Sequence, residues 1–167
     1  MIKIIFVCHG NICRSPMAEF VMKKLVYDAG LENCFQIASA ATSREALGGD
    51  IHPGTKAKLE EEKIPYTHRH AVQFTCDDYK KYDYIIGMDK ENIYRLRQII
   101  GVDTEEKVHL LLSFTGSSNE VADPWYTGNF TQAYEDITRG CKALLCFIAE
   151  NNKTINNIIM NKKESRK

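Results

Sequence analysis

The residues best equipped for chemistry stand near the start of the chain, where Cys8-His9-Gly10-Asn11-Ile12-Cys13-Arg14-Ser15 separates a cysteine from an arginine by five residues. A thiolate is a strong nucleophile, and helix N-termini and nearby cations favour it over the thiol. Arg14 carries a planar fork that holds two phosphoryl oxygens at once and stabilises charge spread over them in a transition state. Wrapped tightly, the intervening loop would aim successive backbone N–H groups at one point, and a following helix would add its positive end, making an anion nest. Gly10 and Asn11 are residue types that tolerate the left-handed backbone such a wrap needs. The implied chemistry is transfer of a phosphoryl group to Cys8, then hydrolysis of the cysteinyl-phosphate by water. Ser15 is placed to donate a hydrogen bond to the thiolate, to cap the following helix, or both.

Spacing by itself is weak support: with six cysteines and seven arginines, a pair at this separation arises by chance roughly one time in four. Context strengthens it against the plainer reading of Cys8 as a small buried hydrophobe. The apolar run Ile2 to Val7 reads as a buried strand of a parallel sheet. Beyond the loop, Pro16 suits the first helical position, Met17, Phe20, Val21, Lys24 and Leu25 recur at helical spacing, and Gly30 is a stop. The departing oxygen needs a proton, so an acid must come from outside the loop. Asp123, opening Asp123-Pro124-Trp125-Tyr126, is the candidate; an ordinary Asp-Pro turn is the competing reading.

The elements that must position these residues alternate. Strands are expected at Phe35 to Ala41, Tyr84 to Met88 and Val108 to Leu112, and helices at Pro53 to Glu62, Cys76 to Tyr82, Lys90 to Ile100 and Thr131 to about Glu150. Long loops are expected from Thr42 to Pro53 and from Ser113 to Asn129. The pattern predicts an α/β fold, three-layered and doubly wound around a mostly parallel four-stranded sheet, with ligands beyond the carboxyl ends of the strands. The 167 residues suit a single domain over 1–150, and residues 151–167, with five basic side chains against Glu164, read as a solvated basic tail or a continuation of the last helix. The balance of 22 basic against 22 acidic residues argues against nucleic acid as a partner. No apolar run is long enough for a membrane span, and no export signal is visible, so the protein is expected in the cytoplasm with its cysteines reduced. The sequons at Asn129 and Asn152 are then without meaning.

The sequence resembles the low-molecular-weight protein tyrosine phosphatases over about residues 1–150: in the loop from Cys8 to Pro16, in Ser39-Ala40-Ala41-Thr42, in Tyr84 through Asp89, and in Asp123-Pro124-Trp125-Tyr126. The resemblance implies a phosphotyrosine hydrolase with a flavodoxin-like sheet, acting on phosphotyrosine-containing proteins without metal or other cofactor, and the chain is expected to be a monomer. It makes Cys8 the nucleophile, Arg14 the phosphate clamp and Asp123 the general acid and later base, with His9, Gly10, Asn11, Ile12, Cys13 and Ser15 forming the phosphate-binding loop and Ser39 helping to hold it. Cys13 matches a cysteine that in some members forms a reversible disulfide with the nucleophile; packing beneath the loop is its other reading. Trp125, with Tyr126 beside it, matches an aromatic wall, whereas Glu45 stands where many members carry the opposing apolar residue. There it either disfavours acidic and favours basic peptide contexts or points into solvent. Arg69 falls where the family often has a loop-supporting histidine, with His68 and His70 beside it, and the residues leave open which of the three serves. Rival functions are arsenate reduction, which needs an additional downstream redox cysteine pair for which the chain offers poor candidates, Cys76 standing alone near the middle, and phosphoarginine hydrolysis, which related enzymes pair with threonine at the position of Ile12. A non-catalytic phosphotyrosine-binding module would have no use for both Cys8 and Asp123.

Overall fold

The computed structural model describes residues 1–164. In chain order the strands are β1 (Ile2–Cys8), β2 (Phe35–Ala41), β3 (Tyr84–Gly87) and β4 (Val108–Leu110). The helices are α1 (Arg14–Ala29), α2 (Pro53–Glu61), α3 (Cys76–Lys81), α4 (Lys90–Ile100), α5 (Pro124–Thr127), α6 (Phe130–Glu150) and α7 (Lys153–Glu164). The four strands form one sheet in the order β2-β1-β3-β4, and every pairing is parallel. β1 lies inside the sheet because its residues from Ile4 to Cys8 are all buried and need cover on both faces and both edges. Its register places Cys8 opposite Ala41, at the end where the strand order reverses and open α/β sheets bind ligands.

Alternation along β1 divides the core into two layers. Ile4, Phe6 and Cys8 face α1 and α6, packing with Met17, Phe20, Ile137 and Leu144. Ile5 and Val7 face the other way, against Phe74, Tyr82 and Leu96, under α3 and α4. In α6, a Cβ on Gly140 would meet the Leu111 side chain at 2.5 Å, so this glycine permits the helix to lie close against the 3-10 turn Leu111–Thr115. No helix among the described residues is long and apolar enough to cross a membrane.

Two local expectations are corrected. Helix α1 begins at Arg14, with Cys13 at its cap position making no side-chain capping bond, so Ser15 is not the cap. The helix does stop at Gly30, whose φ of 71° sits in the left-handed region and lets its N–H reach Tyr27 O while Leu31 N–H reaches Val26 O. The second correction concerns the C-terminus. The chain breaks after α6 and returns as the separate α7, which buries Ile155 to 3% exposure in the main core and rests Ile158 and Ile159 against it. Lys162 Nζ donates 2.9 Å to Asp28 O at the carboxyl end of α1, where a cation is favoured. Residues 153–164 are therefore a packed element rather than a solvated tail; 165–167 lie outside the described residues. Removing most of the Ile155 side chain should create a cavity beneath α7. Ile155→Ala is expected to lower stability by about 2–4 kcal/mol, read as a shift in the urea midpoint, whereas a loose tail would leave the midpoint unchanged.

Candidate active site

The loop that follows β1 is held from outside by its carbonyl oxygens. Cys8 O accepts from Thr42 N–H at 2.9 Å, His9 O from Ser43 N–H at 3.0 Å, and Ile12 O from His52 N–H at 2.8 Å. Asn11 O accepts from Arg69 Nη1 at 3.1 Å and Cys13 O from the Thr55 hydroxyl at 3.2 Å. None of these bonds uses a loop N–H. The turn is made at Asn11, whose φ is 57°, while Gly10 does not take the left-handed conformation expected of it. Asn tolerates that region when its short side chain is bonded locally. Here the side chain is fully used: Nδ2 donates to Ser15 Oγ at 2.8 Å and Ser39 Oγ at 3.0 Å, while Oδ1 accepts from Arg69 Nη2 and from Val72 N–H.

That network ends on the candidate nucleophile. Ser15 Oγ lies 3.1 Å from Cys8 Sγ, and both are buried. On its far side, Ser39 donates to the carboxylate of Glu19, which also holds Lys23 Nζ at 2.6 Å and lies 3.8 Å from Arg69 Nε. Arg69 is thus the residue of the three that reaches the loop. His68 instead faces Asp50, and His70 Nδ1 meets Gly48 O. Burial draws the Arg69 guanidinium below its ordinary value, with Glu19, Cys8 and Asp50 opposing the shift.

Arg14 is the largest of the fully buried side chains, at 2% exposure. Nη1 donates to Asp89 Oδ2 at 2.7 Å and to Val121 O at 2.9 Å, and Nη2 donates to Asp123 Oδ2 at 3.1 Å. Both carboxylates are helix caps that divide their oxygens: Asp89 Oδ1 accepts from Asn92 N–H of α4, and Asp123 Oδ1 from Trp125 N–H of α5. Burial disfavours the Arg14 charge, yet Cys8, Asp123 and Asp89 outweigh it and raise the guanidinium above its ordinary value. The Nε of Arg14 is buried with no hydrogen-bond partner among the described residues. The Asp-Pro turn and the link to Arg14 are therefore two uses of one carboxylate.

Above the loop opens a cavity of about 270 Å3, lined by Cys8, Cys13, Ile12, Asp123, Trp125 and Glu45 among others. Trp125 is 60% exposed and Tyr126 82%, so both rings are free to meet an entering group. Glu45 does not simply project into solvent; its Oε2 meets His9 Nε2 at 2.9 Å across the rim. Cys13 stands inside the same cavity. Burial first, then the charges of Cys8 and Asp123, push its thiol up to about 12.

The description of the family model that matches residues 3–156 is low molecular weight phosphotyrosine protein phosphatase. The chain belongs to that family. A curated relative, the low molecular weight protein-tyrosine-phosphatase YfkJ of Bacillus subtilis, is 40% identical over 150 residues, covering 89% of this chain and 96% of the relative. The crystal structure of YfkJ superimposes with a TM-score of 0.88 at 39% identity, covering 91% of this chain and 97% of that one. SP-PTP, the low molecular weight protein tyrosine phosphatase from Streptococcus pyogenes, gives 0.79 at 39% identity over 87% of this chain and 92% of that one. At greater distance, the drosophila arginine phosphatase DARP gives 0.81 at 28% identity over 88% and 98%. As a low molecular weight tyrosine phosphatase the chain is a hydrolase, and its four parallel strands match the fold of these crystal structures.

Sequence reasoning missed Asp89 and Glu19 as parts of the phosphatase site. A signal existed for each: Asp89 follows β3 at the carboxyl edge of the sheet, and Glu19 sits one helical turn beyond Ser15 on α1. The Cys13 environment makes a direct prediction. A thiol raised to about 12 is roughly one part in 10⁴ thiolate at pH 8, so Cys13 should remain unmodified by iodoacetamide in the folded protein while Cys8 is alkylated. Peptide mass spectrometry checks this, and comparable labelling of both would contradict the burial argument.

Proposed function

We propose that this phosphatase hydrolyses phosphotyrosine and other aryl phosphomonoesters through a cysteinyl-phosphate on Cys8. One observation carries the reading: Cys8, Asp123 and Trp125, which come from distant parts of the sequence, line one cavity, and the Arg14 guanidinium joins the loop to Asp123. In the first step the Cys8 thiolate attacks phosphorus, the S–P bond forms, and the P–O bond to the aryl group breaks. Asp123, as the acid, gives the departing phenoxide its proton. Ser15, already receiving a hydrogen bond from Asn11, donates its own proton toward the sulfur and steadies the thiolate. The phosphoryl oxygens take the loop N–H groups, the α1 N-terminus and the Arg14 fork; the unpartnered Nε supplies one ready donor. In the second step water attacks phosphorus, Asp123 accepts its proton, and phosphate leaves as the thiolate is restored.

Two rival reactions on this fold fit less well. Of the six cysteines, Cys8 and Cys13 line the cavity, whereas Cys76 is exposed and turned to Ile99 O, so the redox relay of an arsenate reductase finds no second pair there. Phosphoarginine hydrolysis would place a guanidinium near Ile12, an apolar surface better suited to a phenyl ring. The raised thiol of Cys13 favours its packing role over that of a fast partner in a disulfide with Cys8. All six thiols are free, which accords with a cytoplasmic setting.

Side-by-side turnover of phosphotyrosine, phosphoserine and phosphoarginine peptides and of arsenate tests the reading, with phosphotyrosine expected to lead. Cys8→Ser should abolish turnover while leaving phosphate binding partly intact; retained hydrolysis would contradict the nucleophile. Asp123→Ala should slow phosphotyrosine roughly 10²- to 10⁴-fold but an activated nitrophenyl ester far less. Equal losses on both substrates would reduce Asp123 to a loop-shaping residue.

A further inference from the structure

Trp125 supplies much of the aromatic surface at the cavity, yet the bond from its backbone N–H to Asp123 fixes only the main chain, not the indole. The ring is steadied from behind. His52 meets it edge-on, with centroids 5.6 Å apart and planes at 79°, and stacks on Phe130, with centroids 5.1 Å apart and planes at 18°. His52 is itself tied down twice: its N–H donates to Ile12 O in the Cys8 loop, and its Nδ1 accepts from Gly54 N–H at 3.0 Å, capping α2. The stack depends on residue 54 being glycine, because a Cβ there would collide with the Phe130 ring. One side chain thus connects the phosphate loop, the start of α2, the first residue of α6 and the indole above the cavity.

We propose that His52 is the positioning residue for Trp125, and that through it the fold sets a preference for aryl over alkyl phosphate esters. His52 does not line the cavity, so it acts on substrate only through Trp125. The phosphoryl group is held identically for every ester by the loop and Arg14, whereas the indole contributes only when a flat ring lies against it. An indole free to rotate would have to be ordered on each binding event; one already braced by His52 pays that entropy in the folded state. The effect should therefore appear as selectivity rather than as loss of phosphate recognition. This inference rests on the reading of the site as an aryl phosphatase.

The test compares kcat/KM for an aryl and an alkyl phosphate, with inhibition by inorganic phosphate, in wild type, His52→Asn, His52→Phe and Trp125→Ala. Asn keeps an acceptor that caps α2 but removes the ring; Phe keeps a ring but removes the acceptor. Because the readout is a ratio of two substrates on one preparation, partial unfolding cancels. His52→Asn should lower the aryl-to-alkyl ratio by roughly two- to tenfold, mainly through KM for the aryl ester, with phosphate inhibition unchanged and the ratio approaching that of Trp125→Ala. His52→Phe should keep the wild-type ratio. An unchanged ratio in His52→Asn, or equal losses in His52→Asn and His52→Phe, would overturn the proposal while leaving the aryl reading intact. No effect of Trp125→Ala would likewise overturn the proposal alone, whereas no aryl preference in wild type would overturn both.

Discussion

A guanidinium buried to 2% exposure is the constraint around which this molecule is arranged. Taking such a charge out of water costs several kcal/mol, so it persists only where anions and acceptors replace the lost hydration. Arg14 obtains them from Asp89 at the start of α4 and from Val121 O and Asp123 on the segment that leads into α5. Satisfying that one side chain fixes the start of α1, the start of α4 and the segment that carries Asp123. The same contacts that make burial tolerable bring Asp123, the proposed general acid, to the loop. They also pair that acid with a cation that substrate would claim. In the proposed reaction, a phosphoryl dianion arriving at Arg14 competes with Asp123, and the carboxyl loosened by that competition is the one that must carry a proton.

Rigidity and freedom are divided along the depth of the site. At the base, Asn11 takes a left-handed turn and spends every side-chain donor and acceptor, with Arg69, Ser39 and Glu19 behind it, so the Ser15 and Cys8 geometry has little room to relax. At the rim, Trp125, Tyr126 and Glu45 are largely exposed, and their placement relies on single contacts such as His9 with Glu45 and His52 with Trp125. In the proposed function, a base that recognises phosphate and a mouth that discriminates among esters can thus vary separately. Arg69 carries its charge at any physiological pH, so the support behind the loop does not titrate as a histidine there would.

What could be read from the sequence was local. The strand ending at Cys8, the tight turn and the helix after it are written in consecutive residues, and Asp123-Pro124 announces a turn and a carboxylate beyond a parallel strand, although the short α5 that follows it lies where a loop was expected. Less legible were contacts set by tertiary packing. Of the two roles open to Ser15, the contact with Cys8 is present and the helix cap is not, and its bond from Asn11 is set by tertiary packing. Asp89 was marked only by its place after β3 at the carboxyl edge of the sheet, and its local sequence does not name Arg14, 75 residues away, as the partner of its second oxygen. Residues 151–164 looked polar because helical periodicity spreads Ile155, Ile158 and Ile159 among asparagines and lysines, and only the groove they fill shows them as a face.

The central claim is that the phosphoryl group rests on Cys8 between two chemical steps. Rapid acid quench during the first turnovers with an aryl phosphate, followed by peptide mapping under conditions that preserve the thiophosphate ester, measures this directly. The account predicts a burst of phenol matched by a phosphoryl group on the peptide containing Cys8, which decays as inorganic phosphate appears. Phenol and phosphate released together with no phosphorylated peptide, or a phosphoryl group on any other residue, would contradict it.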